Sequence, residues 1–251
     1  MRRALVAGNW KMNGSRADIN DLMQGLLTGL SEGVNGVDVV VCPPFPYLTQ
    51  VTEAAYGSEL IVGSQNVCEQ SSGAYTGEVA ASMLRDFSVR YVIVGHSERR
   101  QLYGETDQLI ASKVGAVSEA GMIPVLCVGE TREQRDSGAA EETVLAQIAS
   151  VVAAHGVSAF ADSVIAYEPV WAIGTGLSAT SEQAQHMHAV IRQYLARHDA
   201  AVADAVQIVY GGGVTADNAE ELFACPDIDG GLVGGASLNA QAFIRICKSV
   251  S

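Results

Sequence analysis

The chain has 251 residues, 48% of them hydrophobic but only 6% aromatic, so a sizeable core is available and Val, Ile, Leu and Ala must fill it. A formal net charge of −13 has the wrong sign for counterion-release binding to nucleic acid or for docking on an anionic membrane, and both are set aside as partners. The same field repels an anionic substrate, so a phosphate site has to be built locally from backbone N–H groups, helix N-termini and one or two placed cations.

Short apolar, β-branched runs recur along the chain, each bounded by Gly, Pro or Asn. The first covers residues 4–10 and is followed by an amphipathic stretch of helical composition at 17–30. The second, 37–43, leads into residues 46–55, whose class the pattern leaves open. The third is 60–66; the fourth, 91–97, precedes a helix at 106–120. The fifth, 123–129, precedes a helix at 141–154, and the sixth, 164–168, a helix at 181–197. The seventh, 206–211, precedes a helix at 216–223, and the eighth is 231–234. Thr106, Thr180 or Ser181, and Thr215 supply N-cap signals. Near-continuous apolarity marks strands buried on both faces, the signature of a parallel sheet. Eight strand–helix units in this length fit a closed (β/α)8 TIM barrel better than an open doubly wound sheet, and no composition break divides residues 1–251, which read as a single domain.

Five cysteines, Cys42, Cys68, Cys127, Cys225 and Cys247, are widely spaced with no CxxC, which argues against a disulfide framework or zinc site and suits a reducing compartment. The apolar stretch from Ala4 to Gly8 is too short for a signal-peptide core, and no segment approaches the ~18 apolar residues of a membrane span. The expected location is the cytoplasm.

In such a barrel the active site lies at the C-terminal ends of the strands. After the first run comes Lys11, one of only three lysines with Lys113 and Lys248. It reads either as a cation aimed at the barrel mouth or as a surface residue with a snorkelling stem. His96 follows the five mostly apolar residues 91–95 of the fourth run. It reads as a satisfied core histidine, or as a neutral imidazole at a helix N-terminus able to donate to a substrate oxygen. His155, His186, His188 and His198 fall in helical or loop contexts and read as surface residues.

Glu168 ends the sixth run, where a carboxylate is costly unless used or paired. Behind it, Pro169, Val170, Trp171, Gly174 and Gly176 have the composition of a water-excluding lid, or of an ordinary glycine loop beside a salt-bridged Glu. Gly211, Gly212 and Gly213 cluster at the end of the seventh run and Gly234 and Gly235 at the end of the eighth, the usual phosphate-binding position of this architecture. Walker A and GxGxxG are absent, so nucleotide binding has no support. A carboxylate base, donors for an oxyanion and a dry site together suit proton abstraction next to a carbonyl.

Several of these segments resemble the triosephosphate isomerase family, in its order and spacing from residue 4 to residue 247: Asn9-Trp10-Lys11, residues 94–100 around His96, residues 124–130 ending in Gly129-Glu130, residues 166–176 around Glu168, and residues 231–238. The resemblance implies interconversion of dihydroxyacetone phosphate and D-glyceraldehyde 3-phosphate through an enediolate, in glycolysis and gluconeogenesis. It implies that Glu168 shuttles the proton, that neutral His96 serves the enediolate oxygens, that Lys11 adds positive charge and that Asn9 orients substrate. Backbone N–H groups of Gly174, Gly213, Gly234 and Gly235 would bind the phosphate. Ser97 would hold Glu168 with the lid open, Tyr210 would latch the closed lid near Ala179, and Leu232 would press on Glu168. No metal or organic cofactor is implied.

The resemblance also implies a homodimer in which the loop from Cys68 to Glu78 inserts into the partner, bringing Thr76 near the partner's catalytic site. Two positions depart from the family's usual pattern: Gly213 stands where a serine is usual, and Leu177 where a lysine is common in the lid. A barrel phosphoribosyl isomerase is the enzyme alternative, but it would rely on strand-end aspartates that this chain lacks. The non-catalytic alternative is a phosphate-binding protein, which has no need of Glu168, His96 and Lys11.

Overall fold

The computed structural model describes residues 2–173 and 179–250. Eight parallel strands close on themselves in chain order. They are β1 (Ala4–Asn9), β2 (Val37–Cys42), β3 (Ile61–Ser64), β4 (Tyr91–Val94), β5 (Ile123–Val128), β6 (Val164–Tyr167), β7 (Gln207–Tyr210) and β8 (Gly230–Val233). Closure is made by β1 against β8, where Leu5 to Gly8 pair with Gly230 to Val233, and an open sheet is thereby excluded. The helices among the described residues are α1 (Arg16–Gly29), α2 (Leu48–Ala55), α3 (Ala81–Asp86), α4 (Ser97–Tyr103), α5 (Asp107–Glu119), α6 (Arg132–Asp136), α7 (Ala140–His155), α8 (Ser181–Ala196), α9 (Ala200–Ala205), α10 (Ala219–Phe223) and α11 (Ala240–Lys248).

Strand side chains alternate between two cores, as a period of two requires. Leu5, Ala7, Cys42, Tyr91, Ile93, Val125, Cys127, Val164, Ala166, Val209 and Leu232 fill the barrel. Their neighbours Val6, Val41, Val92, Val94, Leu126, Ile165, Tyr167, Ile208 and Val233 pack outward against the helices. Continuing the inward parity by one step at each strand top reaches Asn9, Gly129, Glu168, Gly211 and Gly234. The alternation thus decides which side chains face the mouth.

The strands are shorter than the apolar runs. The fourth run extends to residue 97 but β4 ends at Val94, because Gly95 turns the chain with φ +68°. The stretch left open near residue 46 forms a short 3-10 turn and then α2. Thr106 and Thr180 cap α5 and α8 with their side chains as expected. Thr215 does not cap a helix. Its N–H instead donates to Asn218 Oδ1 at 2.8 Å, and α10 starts three residues later than the expected 216.

Lys113 and His188 are both buried, and the burial of His188 corrects its reading as a surface residue. Lys113 is buried on α5, where Nζ donates to Glu105 Oε1 at 2.5 Å and to Asn66 Oδ1 at 2.9 Å. Burial would raise the Glu105 carboxyl, but hydrogen bonds from Lys113 and Arg99 bring it below its ordinary value. His188 is not a surface residue; His155, His186 and His198 are exposed. His188 lies on the inner face of α8 with Ala184, Met187, Ile191 and Leu195, and its ring meets Tyr167 edge-on at 5.8 Å. Its Nδ1 lies 3.1 Å from the Asp227 carbonyl oxygen, while Nε2 is buried without a partner among the described residues.

Burial, helped by the nearby Arg192 charge, pushes His188 from 6.5 down to about 4. Between those values the unfolded chain binds a proton that the folded protein does not, so stability falls as pH drops through the window. At about 1.4 kcal/mol per pH unit the total is on the order of 3 kcal/mol. Urea unfolding at pH 7 and pH 4.5 should therefore show a smaller acid loss in His188→Gln than in the parent protein; equal losses would refute this.

Candidate active site

The tops of β1, β4, β6, β7 and β8 surround a cleft of about 400 Å³. Asn9, Lys11, His96, Glu168, Gly213, Gly234 and Gly235 all line it, so these sequence-predicted site residues come together in one place. Gly174 lies outside the described residues, as does Leu177.

Asn9 is the last residue of β1, and its Oδ1 accepts the Lys11 N–H at 3.0 Å. That turn holds Lys11 at φ +51°, a left-handed conformation that costs a residue with a Cβ. Gln65 Nε2 fixes it further by donating to the carbonyl oxygens of Lys11 and Cys42, both at 2.9 Å. Lys11 Nζ then reaches Glu98 Oε1 at 2.5 Å. Its stem lies against Gly234, where a Cβ would sit 3.5 Å from Lys11 Cε.

The left-handed turn at Gly95 brings His96 into the cleft as the N-cap of α4. His96 Nδ1 accepts the Glu98 N–H at 3.2 Å. An imidazole that accepts at Nδ1 carries its proton on Nε2. That nitrogen lies 3.0 Å from Glu168 Oε1, so the Nε2–H donates to the carboxylate. The Ser97 backbone N–H donates to the other oxygen, Oε2, at 2.9 Å.

Glu168 is only 2% exposed. A carboxylate buried this far requires hydrogen-bond donors, and the β4–α4 turn supplies both. Its space is made by two glycines. A Cβ on Gly211 would come within 2.8 Å of Glu168 Cγ, and one on Gly129 within 1.7 Å of the Glu168 carbonyl oxygen. Cys127 below stays a neutral thiol, since burial and the Glu168 charge push it well above its ordinary value. Leu232, buried in the barrel, lines the same cleft.

The far wall is main chain. Gly211 to Gly213 and Gly234 to Gly235 contribute no side chains to it, beside Val214 and Leu238, and a short 3-10 turn, Gly235–Leu238, begins there. Asn218 Nδ2 donates to the Gly213 carbonyl oxygen at 2.8 Å, which fixes the β7 loop. Tyr210 Oη is buried beside the backbone of Ala179. Burial pushes this phenol up to about 12, against an opposing influence from the backbone of Ala179. Among the described residues no group of three or more His, Cys, Asp or Glu is arranged to hold a metal.

Glu130, to which the sequence pattern assigns no role, is fully buried and ties down the residues that follow Glu168. Its Oε1 accepts from Trp171 Nε1 at 2.8 Å, Tyr167 Oη at 3.1 Å and Arg135 at 3.2 Å, and Arg135 lies 4.5 Å over the Trp171 ring. The signal that could have found it is the one that found Glu168: a carboxylate set directly after an apolar strand run. Residues 71–78 are exposed, as are Met12, Met83, Leu102 and Tyr103.

A model of the family described as triosephosphate isomerase matches residues 4–250. The chain belongs to the triosephosphate isomerase family. The triosephosphate isomerase of Thiobacillus denitrificans is 56% identical over 251 residues, covering all of both chains. That of Alcanivorax borkumensis is 54% identical over 99% of this chain and 98% of its own length. That of Stenotrophomonas maltophilia strain K279a is 53% identical over 100% of this chain and 99% of its own length. The cleft has one side made by Asn9, Lys11, His96 and Glu168 at the tops of β1, β4 and β6, and another made by the glycines of the β7 and β8 loops.

Proposed function

We propose that Glu168, His96 and Lys11 carry out the isomerisation and that the glycine wall holds the substrate's phosphate. The chain is an isomerase of the triosephosphate isomerase family, and its substrate is a phosphorylated triose. The observation that supports the assignment of roles is the convergence of a buried carboxylate, an Nε2–H imidazole and an ammonium group over one cleft with a main-chain far wall.

In this reading the Glu168 carboxylate takes a proton from the carbon next to the carbonyl. The C–H electron pair becomes the C=C bond of the enediolate, and the carbonyl electrons move onto oxygen. His96 Nε2–H hydrogen-bonds that oxygen and Lys11 offsets its charge. Glu168 then returns the proton to the adjacent carbon, while a hydroxyl proton passes between the two oxygens. His96 Nε2–H cannot serve Glu168 and a substrate oxygen at once, so substrate entry displaces Glu168 from His96 and turns it toward the C–H bond. Asn9 orients the substrate, and N–H groups of Gly174, Gly213, Gly234 and Gly235 bind the phosphate. Closure of the lid at Trp171 keeps water from the enediolate and suppresses loss of phosphate.

The accompanying assignments belong to the same proposal. Residues 1–251 form one domain, supported by the single closed barrel. The protein works in the cytoplasm; no helix among the described residues is long and apolar enough to cross a membrane. It acts as a homodimer through the loop from Cys68 to Glu78. Exposure of its residues 70–78, and of Met12, Leu102 and Tyr103, supports the assignment.

With D-glyceraldehyde 3-phosphate, Glu168→Ala should lose about 10³-fold or more in kcat with little change in KM, and full activity in the variant would sink the assignment of the base. Gly213→Ser adds a hydroxyl donor at the anion wall. A hydrogen bond to a charged partner is worth about 1.5–3 kcal/mol, so competitive inhibition by a phosphate-bearing analogue should tighten about tenfold or more; unchanged inhibition would refute it. Sedimentation at micromolar concentration should give twice the 26.3 kDa chain mass, and a shift to monomer in Thr76→Arg; a monomeric parent protein contradicts the dimer.

A further inference from the structure

The backbone of Glu168 is clasped by three consecutive residues at the top of β5. The Glu168 N–H donates to the Val128 carbonyl oxygen at 2.7 Å, and the Val170 N–H donates to the Glu130 carbonyl oxygen at 3.1 Å. Between them sits Gly129, so close that any Cβ would fall 1.7 Å from the Glu168 carbonyl oxygen. Gly129 lies one residue beyond β5, and its own N–H and C=O have no main-chain partner among the described residues.

One side chain satisfies both groups. Gln147, on α7, accepts the Gly129 N–H on Oε1 at 2.8 Å and donates from Nε2 to the Gly129 carbonyl oxygen at 3.0 Å. The paired amide contacts fix both the distance and the rotation of the Gly129 peptide groups relative to α7, which a single bond would not do. Gln147 also lines a second cleft, on the side of Glu168 away from the glycine wall, which it shares with Gly129 and Glu168.

We propose that Gln147 is a positioning residue for the base. It touches neither the proton-handling groups nor the anion wall, and it acts through Gly129 on the main chain of Glu168 and on the first residues of the lid. This rests on the assignment of Glu168 as base. Displacement of a reacting group by about 1 Å costs on the order of 10²-fold in rate, so an anchor that holds main chain is sufficient to matter.

The test compares Gln147→Met, which keeps length but removes the amide, with Gln147→Glu, which keeps an acceptor for the Gly129 N–H but loses the donor. Gln147→Met should lower kcat by about 10- to 100-fold, leaving KM and competitive inhibition by inorganic phosphate within about twofold, because the anion wall is built on other strands. Gln147→Glu should fall between it and the parent. A kcat within about twofold of the parent in Gln147→Met, or phosphate inhibition weakened as much as kcat, overturns the proposal. Hydrogen exchange at the Gly129 amide gives a readout independent of turnover. It should accelerate in Gln147→Met, and unchanged protection overturns the anchor. If the parent protein itself fails to convert trioses, the assignment of the base fails, and the exchange result alone then decides whether Gln147 holds this peptide.

Discussion

Everything at the barrel mouth depends on keeping one carboxylate charge where there is almost no water. Glu168 is tolerated there because two N–H groups, from His96 and Ser97, come to its oxygens from a single turn. That turn exists because Gly95 adopts a left-handed conformation in which Ile110 leaves no room for a Cβ. The carboxylate reaches the turn because strand alternation sends residue 168 inward, and because Gly129 and Gly211 carry no side chains to block it. Donors, turn, alternation and glycines form one chain of dependence, and replacing any member leaves a charge without partners.

A second buried carboxylate, Glu130, has a different task. Its oxygen gathers donors from Trp171, Tyr167 and Arg135. Burial and the Glu130 charge push the Tyr167 phenol up, so it remains a donor throughout the physiological range. The two carboxylates follow neighbouring strands, one on the inside of the barrel and one toward the helix layer. Their separation lets both be buried close together in the chain without competing for the same hydrogen-bond donors.

Much of the fold was legible because strands buried on both faces must be apolar without interruption, and eight such runs mark a barrel. Their ends were not legible, since pairing stops where the neighbouring strand or a left-handed glycine stops it, as at Val94. Lys11, His96 and Glu168 could be read as site candidates because each polar group stands at or just past the apolar part of a strand run, whereas Asn9 came only from the family resemblance. The structure brings them together, whereas Gly174 lies outside the described residues. What escaped was set by partners distant in sequence. Lys113 is matched by Asn66, 47 residues away, and the Glu130 bond to Trp171 spans 41. His188 was different: Ala184, Met187, Ile191 and Leu195 already define a helical face that includes it, so its burial was readable from local periodicity.

The inner core of the barrel has one more implication. Ala7, Cys42, Tyr91, Ile93, Cys127 and Ala166 fill the interior beneath the cleft with packed side chains. The barrel is therefore plugged below, and the cleft opens above the packed core. Whatever enters must back out the way it came. A molecule leaving the cleft and one arriving thus contend for the same open side above the core.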